Sequence, residues 1–154
     1  MENHLLRCFQ GEVAKQCWWA ILAIEDVEKA LKDLNSGKLT NAYAMTRLWM
    51  SFQTFLVAAG NISKLLWPQS PKIADRGTDL RASLGVEDSS CLETRTFRNH
   101  FEHFDERLEN FFLSFGPGEF FYIDSNVSPG GISTLAKNID ESKVLRHFDP
   151  NNGD

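Results

Sequence analysis

The sequence has no excess of positive charge. Its 16 lysines and arginines are outnumbered by 21 aspartates and glutamates, for a net charge of -5. That excludes a protein that coats nucleic acid by bulk electrostatics, which needs a basic surface, and leaves only a local basic site open. Cysteine is scarce: Cys8, Cys17 and Cys91 are an odd count without zinc spacing, and no charged-then-apolar leader with a small-residue cleavage site opens the chain. A reducing cytoplasm is the expected compartment. A Gly-rich phosphate loop, a G-x-S-x-G elbow and a recognisable Cys-His spacing are also missing, and "GPGE" and "SPGG" read as turns.

What remains is ordinary globular material. A length of 154 residues, 42% hydrophobic and 24% charged, suits one domain or slightly more and excludes disordered and fibrous classes. From Leu5 to Leu34 the apolar positions Leu6, Phe9, Val13, Cys17, Ala20, Ile24, Val27, Leu31 and Leu34 alternate steps of three and four, which predicts a long helix with one buried stripe. "NSGK" (Asn35 to Lys38) breaks it with a glycine. A second helix, about Thr40 to Trp67, repeats the stripe at Met45, Leu48, Phe52, Phe55, Ala59, Ile62 and Leu66 and contains no Asp or Glu. It is expected to be the most buried element. Arg47, Gln53, Asn61 and Lys64 interrupt it, which argues against a membrane span.

After Pro68 and Pro71, "RGTDLRASLGV" (Arg76 to Val86) predicts a short helix closed by Gly85. "SSCLE" then offers Ser90 and Glu93 at capping-box spacing, so a further helix is expected over 91 to 113. Its stripe is Phe97, Phe101, Phe104, Leu108, Phe111 and Phe115. Three long helices and a short one predict a mainly α, antiparallel bundle over 1–115. Over 116–154, "EFFYID" and "KVLRHF" predict two short strands of a hairpin-like β appendage. "DPNNGD" reads as a hairpin turn, whose partner strand would lie past residue 154, or as a loose tail.

The polar residues concentrate in "RTFRNHFEHFDERL" (95 to 108). On one helix Asn99 and His103 lie one turn apart with Arg95 and Arg107, whereas Arg98 and His103 are about 140° apart around the axis. Joining those two needs a long arginine arm, a local distortion, or a second copy across a cleft. The plain alternative is a solvated face on which Glu102, Asp105, Glu106, Arg107 and Glu109 form weak pairs. A di-iron bundle is excluded: no Glu precedes His100 or His103 by three, and helix two has no carboxylate. A zinc site would have to recruit Asp105 or His147, so no metal or other cofactor is expected. Trp18, Trp19, Trp49 and Trp67 all fall on helices, where packing is the expected role rather than base stacking.

Arg98-Asn99-His100-Phe101-Glu102-His103, late in a helical chain, resembles the R-x4-6-H signature of the higher eukaryote and prokaryote nucleotide-binding (HEPN) superfamily. "RGTDLRASLGV" before it and "FDERLE" after it resemble an uncharacterised bacterial branch, and the resemblance covers roughly 1 to 115. It implies metal-independent RNA cleavage at a site shared by two protomers. In that reading His103 moves a proton at the ribose 2′-hydroxyl or the leaving 5′-oxygen, Arg98 holds the phosphate, and Asn99 orients them. A second register, Arg95-x4-His100, makes Arg95, His100 and Glu102 accessory candidates; Arg98 is preferred because Asn99 matches the polar second position. Toxin members controlled by a nucleotidyltransferase antitoxin often carry Tyr two places after the histidine, where this chain has Asp105.

Two functions are therefore expected in competition. One is a toxin-like or defence endoribonuclease acting as a homodimer, with an antitoxin-like protein as possible partner. The other is a catalytically inert helical module that binds nucleotide, RNA or a protein. Neither reading involves a membrane.

Overall fold

The three-four spacing produces two long helices, α1 (Asn3–Ser36) and α2 (Asn41–Leu66). The computed structural model describes residues 3–36, 41–94, 103–119, 121–131 and 139–151. The chain divides into two compact units, Met1–Glu102 and His103–Asp154. In the first, Asp26 of α1 pairs with Arg47 of α2, and Gln16 accepts from Asn61 Nδ2 at 3.3 Å. Residue numbers rise on one helix as they fall on the other, so α1 and α2 are antiparallel.

The facing surfaces mix alanines and serine with larger side chains: Val13, Gln16, Ala23, Val27 and Ala30 are buried on α1, and Ala44, Leu48, Ser51, Ala58 and Ile62 on α2. The buried stripe of α1 therefore passes through Gln16 and Ala23, not through Cys17 and Ile24, which are exposed. Alanines let two helix backbones approach closely, and the broader cysteine and isoleucine turn outward. Gln16 is buried at little cost because it also donates to Glu12 Oε1 at 2.9 Å.

A 3₁₀ turn (Pro71–Ile73) leads to α3 (Ala74–Leu84), closed as expected by Gly85 in the left-handed conformation at φ 67°. The Val86 N–H completes that cap by donating to the Arg81 carbonyl at 3.0 Å. Leu80 of α3 joins Val13, Ile62, Leu66 and Trp67 in the core of this unit.

The continuous helix expected over 91 to 113 is not what forms. Ser90 does cap, accepting from Leu92 N at 3.4 Å, but it caps one 3₁₀ turn, Cys91–Glu93. Thr94, at ψ 113°, has already left helical geometry. The next helix among the described residues, α4, spans Phe104–Leu113, and its N-cap is His103 at φ -111°, ψ 34°. It belongs to the second unit, where Phe111, Phe112, Phe115 and Tyr122 pack together with centroids 5.2 to 6.3 Å apart, edge to face in every pair but the tilted Phe112 and Phe115.

The β appendage is real, but it is not a hairpin. Strands β1 (Asn126–Val127) and β2 (His147–Phe148) pair in parallel, with a further parallel bridge from Ile123 to Val144. Among the described residues of "EFFYID", only Ile123 pairs; "KVLRHF" supplies both the bridge and β2. A parallel partner needs a long return connection, and residues 128–146 provide it, beginning with the Ser128–Gly131 turn that "SPGG" predicts. The described residues end at Asn151 in a turn tied back by Asp149 Oδ1, which accepts from Gly130 N at 3.1 Å and Asn151 N at 2.9 Å.

Candidate functional site

His103 is the one motif residue among those described. As the N-cap of α4 it projects a side chain that is 57% exposed, with Nδ1 3.4 Å from Glu106 Oε1. Asp105 and Glu106 fill the first turn of α4, where carboxylates interact favourably with the helix dipole, so part of the acidity around the histidine is helix-start chemistry. An exposed imidazole beside a carboxylate has the reach and the proton-transfer capacity of a general acid-base group. Arg95, Arg98, Asn99, His100 and Glu102 lie outside the described residues.

Among the described residues no group of three His, Cys, Asp or Glu side chains is placed to hold a metal ion, and His100 lies outside them. Nor, among these residues, is any helix long and apolar enough to cross a membrane. The tryptophans split: Trp67 is buried and Trp49 packs on Phe52 with centroids 5.7 Å apart, but Trp18 and Trp19 are 65% and 48% exposed.

The second unit holds a polar cluster that spacing did not reveal. His147 Nε2 lies 3.4 Å from Ser128 Oγ, and its Nδ1 lies 3.5 Å from Asn126 Nδ2. Ser128 Oγ in turn donates to the Gly131 carbonyl at 2.9 Å. One proton arrangement satisfies every contact: Asn126 donates to Nδ1, Nε2–H donates to Ser128, and Ser128 donates onward to Gly131. The imidazole nitrogen facing the hydroxyl then carries the proton, so this serine is not an activated nucleophile. The cluster closes the turn after β1 against β2. No short motif announces it, because its members are brought together only by the parallel pairing.

Two ion pairs strengthen the same unit. Asp124 accepts from Arg146 through both Nε and Nη2, and Glu119 accepts from Lys143 Nζ at 2.8 Å while that ammonium sits 3.9 Å from the centre of the Phe115 ring. Hydrogen bonds from Lys143 and the Gly116 N–H hold the Glu119 carboxyl below its ordinary range. An open groove of about 520 Å³ runs beside it, lined by Phe112, Phe115, Tyr122 and Glu119. In the first unit a groove of about 420 Å³ lies among Trp19, Met50, Gln53 and Val57.

Compared with family models, with curated proteins and with solved structures, the chain matches none.

Proposed function

We propose that this chain is a HEPN-type endoribonuclease that cuts RNA without a metal ion. The reading is carried by the Arg98-x4-His103 spacing in a mainly helical chain, together with an imidazole that is open to a substrate rather than committed to a core. The 2′-hydroxyl loses its proton and its oxygen bonds to phosphorus as the bond to the 5′-oxygen breaks. That oxygen takes up a proton, leaving a 2′,3′-cyclic phosphate and a 5′-hydroxyl. His103 carries one of these proton transfers, and Arg98 holds the charge that develops on the phosphoryl oxygens. Asn99 orients the pair, and the two arms come from two copies of the chain.

A second reading has its own observation. Asp105, Glu106 and Glu109 are all exposed on the helix that His103 begins, and their charge repels a phosphate backbone. That favours an inert module of the same fold which binds a nucleotide, an RNA or a protein. RNA cutting in excess chelator separates the two. The nuclease reading expects cutting to persist, and His103→Ala or Arg98→Ala each to lower the rate by about a hundredfold or more. Activity lost with chelator and regained with zinc or magnesium refutes the mechanism. Wild type and both variants equally inert on varied RNAs, with ligand binding retained, transfers the assignment to the second reading.

A further inference from the structure

Glu106 stands at the third position of α4, behind an N-cap that is a histidine. A carboxylate at that position ordinarily reaches back to the N-cap backbone N–H, and an N-cap side chain ordinarily accepts from the first turn. Neither happens here. The His103 side chain makes no capping hydrogen bond, and the Glu106 carboxylate turns to the imidazole instead, with Oε1 3.4 Å from Nδ1. Both side chains are more than half exposed, and the other ring nitrogen, Nε2, has no partner among the described residues. The two groups are therefore not spent on starting the helix.

We propose that Glu106 is a positioning residue for His103, holding the imidazole with its proton on Nδ1 and leaving Nε2 as the proton acceptor. The reason lies in the count of donors. A carboxylate only accepts, so the ring nitrogen that faces it is favoured with its proton on, and a neutral imidazole has a single proton to place. The separation is longer than an ordinary hydrogen bond, and such contacts tighten when a substrate completes the site.

The proposal rests on the RNA-cleavage reading and decides which of the two proton transfers His103 carries. The lone pair of Nε2 takes the proton of the ribose 2′-hydroxyl as that oxygen bonds to phosphorus and the bond to the 5′-oxygen breaks. The leaving oxygen takes a proton from water, and the imidazolium, facing the Glu106 carboxylate, gives its proton back to the hydroxide that remains. A carboxylate that only repelled RNA would have another kinetic signature: its removal would lower KM and leave kcat alone.

Two readouts on the full chain test the assignment. Nitrogen-15 correlation spectra of the ring, assigned with His103→Ala, are recorded at about pH 8.5, well above the ordinary imidazole pKa of about 6.5. They should show Nδ1–H in wild type and in Asp105→Ala, and a shift toward Nε2–H in Glu106→Ala. In RNA cleavage Glu106→Ala should lower kcat about tenfold without raising KM, and Asp105→Ala, in the same helical turn, should leave kcat unchanged. Glu106→Gln, whose amide oxygen still accepts, should recover part of the loss. A wild-type ring protonated on Nε2 overturns the proposal. So does Glu106→Ala with kcat intact and KM lowered, or a loss that Asp105→Ala shares equally, which would belong to the helix start. A wild type inert on RNA refutes the cleavage reading, and the role of Glu106 falls with it; the tautomer, read without RNA, tells that failure from a failure of the pairing.

Discussion

The Asp124 carboxylate accepts both arms of the Arg146 guanidinium, at 2.6 and 2.5 Å, across the two chain segments that run into β1 and β2. The hydrogen bonds from Arg146 lower the Asp124 pKa below its ordinary value, and the same bonds raise that of Arg146. A depressed carboxylate stabilises the fold fully above the aspartate range of about 4, and that contribution is lost as pH falls through the lowered folded value. Asp124→Asn should therefore cost roughly 1 kcal/mol at neutral pH, and wild type and variant should converge in acid. Denaturant melts at pH 7 and pH 2.5 check this; a gap that is equal at both pH values refutes the assignment.

Gly77 lies where α3 crosses the end of α2. A Cβ there would stand 2.5 Å from Pro68 Cδ and 2.7 Å from the Leu66 carbonyl oxygen, against a rigid ring and a backbone atom. Gly77→Ala is expected to destabilise the first unit by about 2 to 3 kcal/mol, although alanine favours helix. A thermal melt no lower than wild type would show that the crossing relaxes.

Arg81 secures the same crossing. It donates to the Leu66 carbonyl at 2.5 Å and to Asp88 at 2.7 Å, with its guanidinium 5.3 Å from the centre of the Trp67 ring. The Leu66 carbonyl is one of the acceptors that every helix leaves unpaired at its C-terminus. Arg81→Ala should cost about 2 kcal/mol, and Arg81→Lys should recover only part of it, because an ammonium lacks the fork that reaches both acceptors. Full rescue by lysine would reduce the role of Arg81 to its charge.

The helical hairpin, the Gly85 cap and the turns at 116–119 and 128–131 were legible in the sequence because each follows from neighbouring residues. Stripe phase was less so: Cys17 and Gln16 are adjacent, and which one is buried depends on how closely the alanines let α1 and α2 approach. Ser90 signals a helix start equally well whether one turn or five follow it. The parallel β pairing, and with it the cluster of Asn126, Ser128 and His147, depends on contacts across about twenty residues that no local spacing encodes. Of the candidate site, the exposure of His103 and its Glu106 neighbour belong to the structure, while the pairing with Arg98 stays a reading of the motif.

If the imidazole of His147 serves only to close the turn, the serine beside it has no chemical duty. Ser128→Ala should lower the stability of the second unit by about 1 kcal/mol, the usual net worth of a hydrogen bond, and leave any RNA cleavage unchanged. A cleavage rate reduced in step with that of His103→Ala would move the site to Ser128 and His147.

The shared-site geometry makes its own demand on mixtures. Arg98→Ala and His103→Ala proteins are each expected to be nearly inactive alone. If one active site takes Arg98 from one copy and His103 from the other, a mixed dimer of the two variants contains one doubly damaged site and one intact site. Random exchange makes half the dimers mixed, so cleavage should return to about a quarter of the wild-type rate. A site built within a single chain gains nothing from mixing, because every copy of it still carries a substitution. Cleavage that stays at the level of the separate variants, under conditions where labelled subunits are seen to exchange, would place both side chains in one protomer and refute the two-copy arrangement.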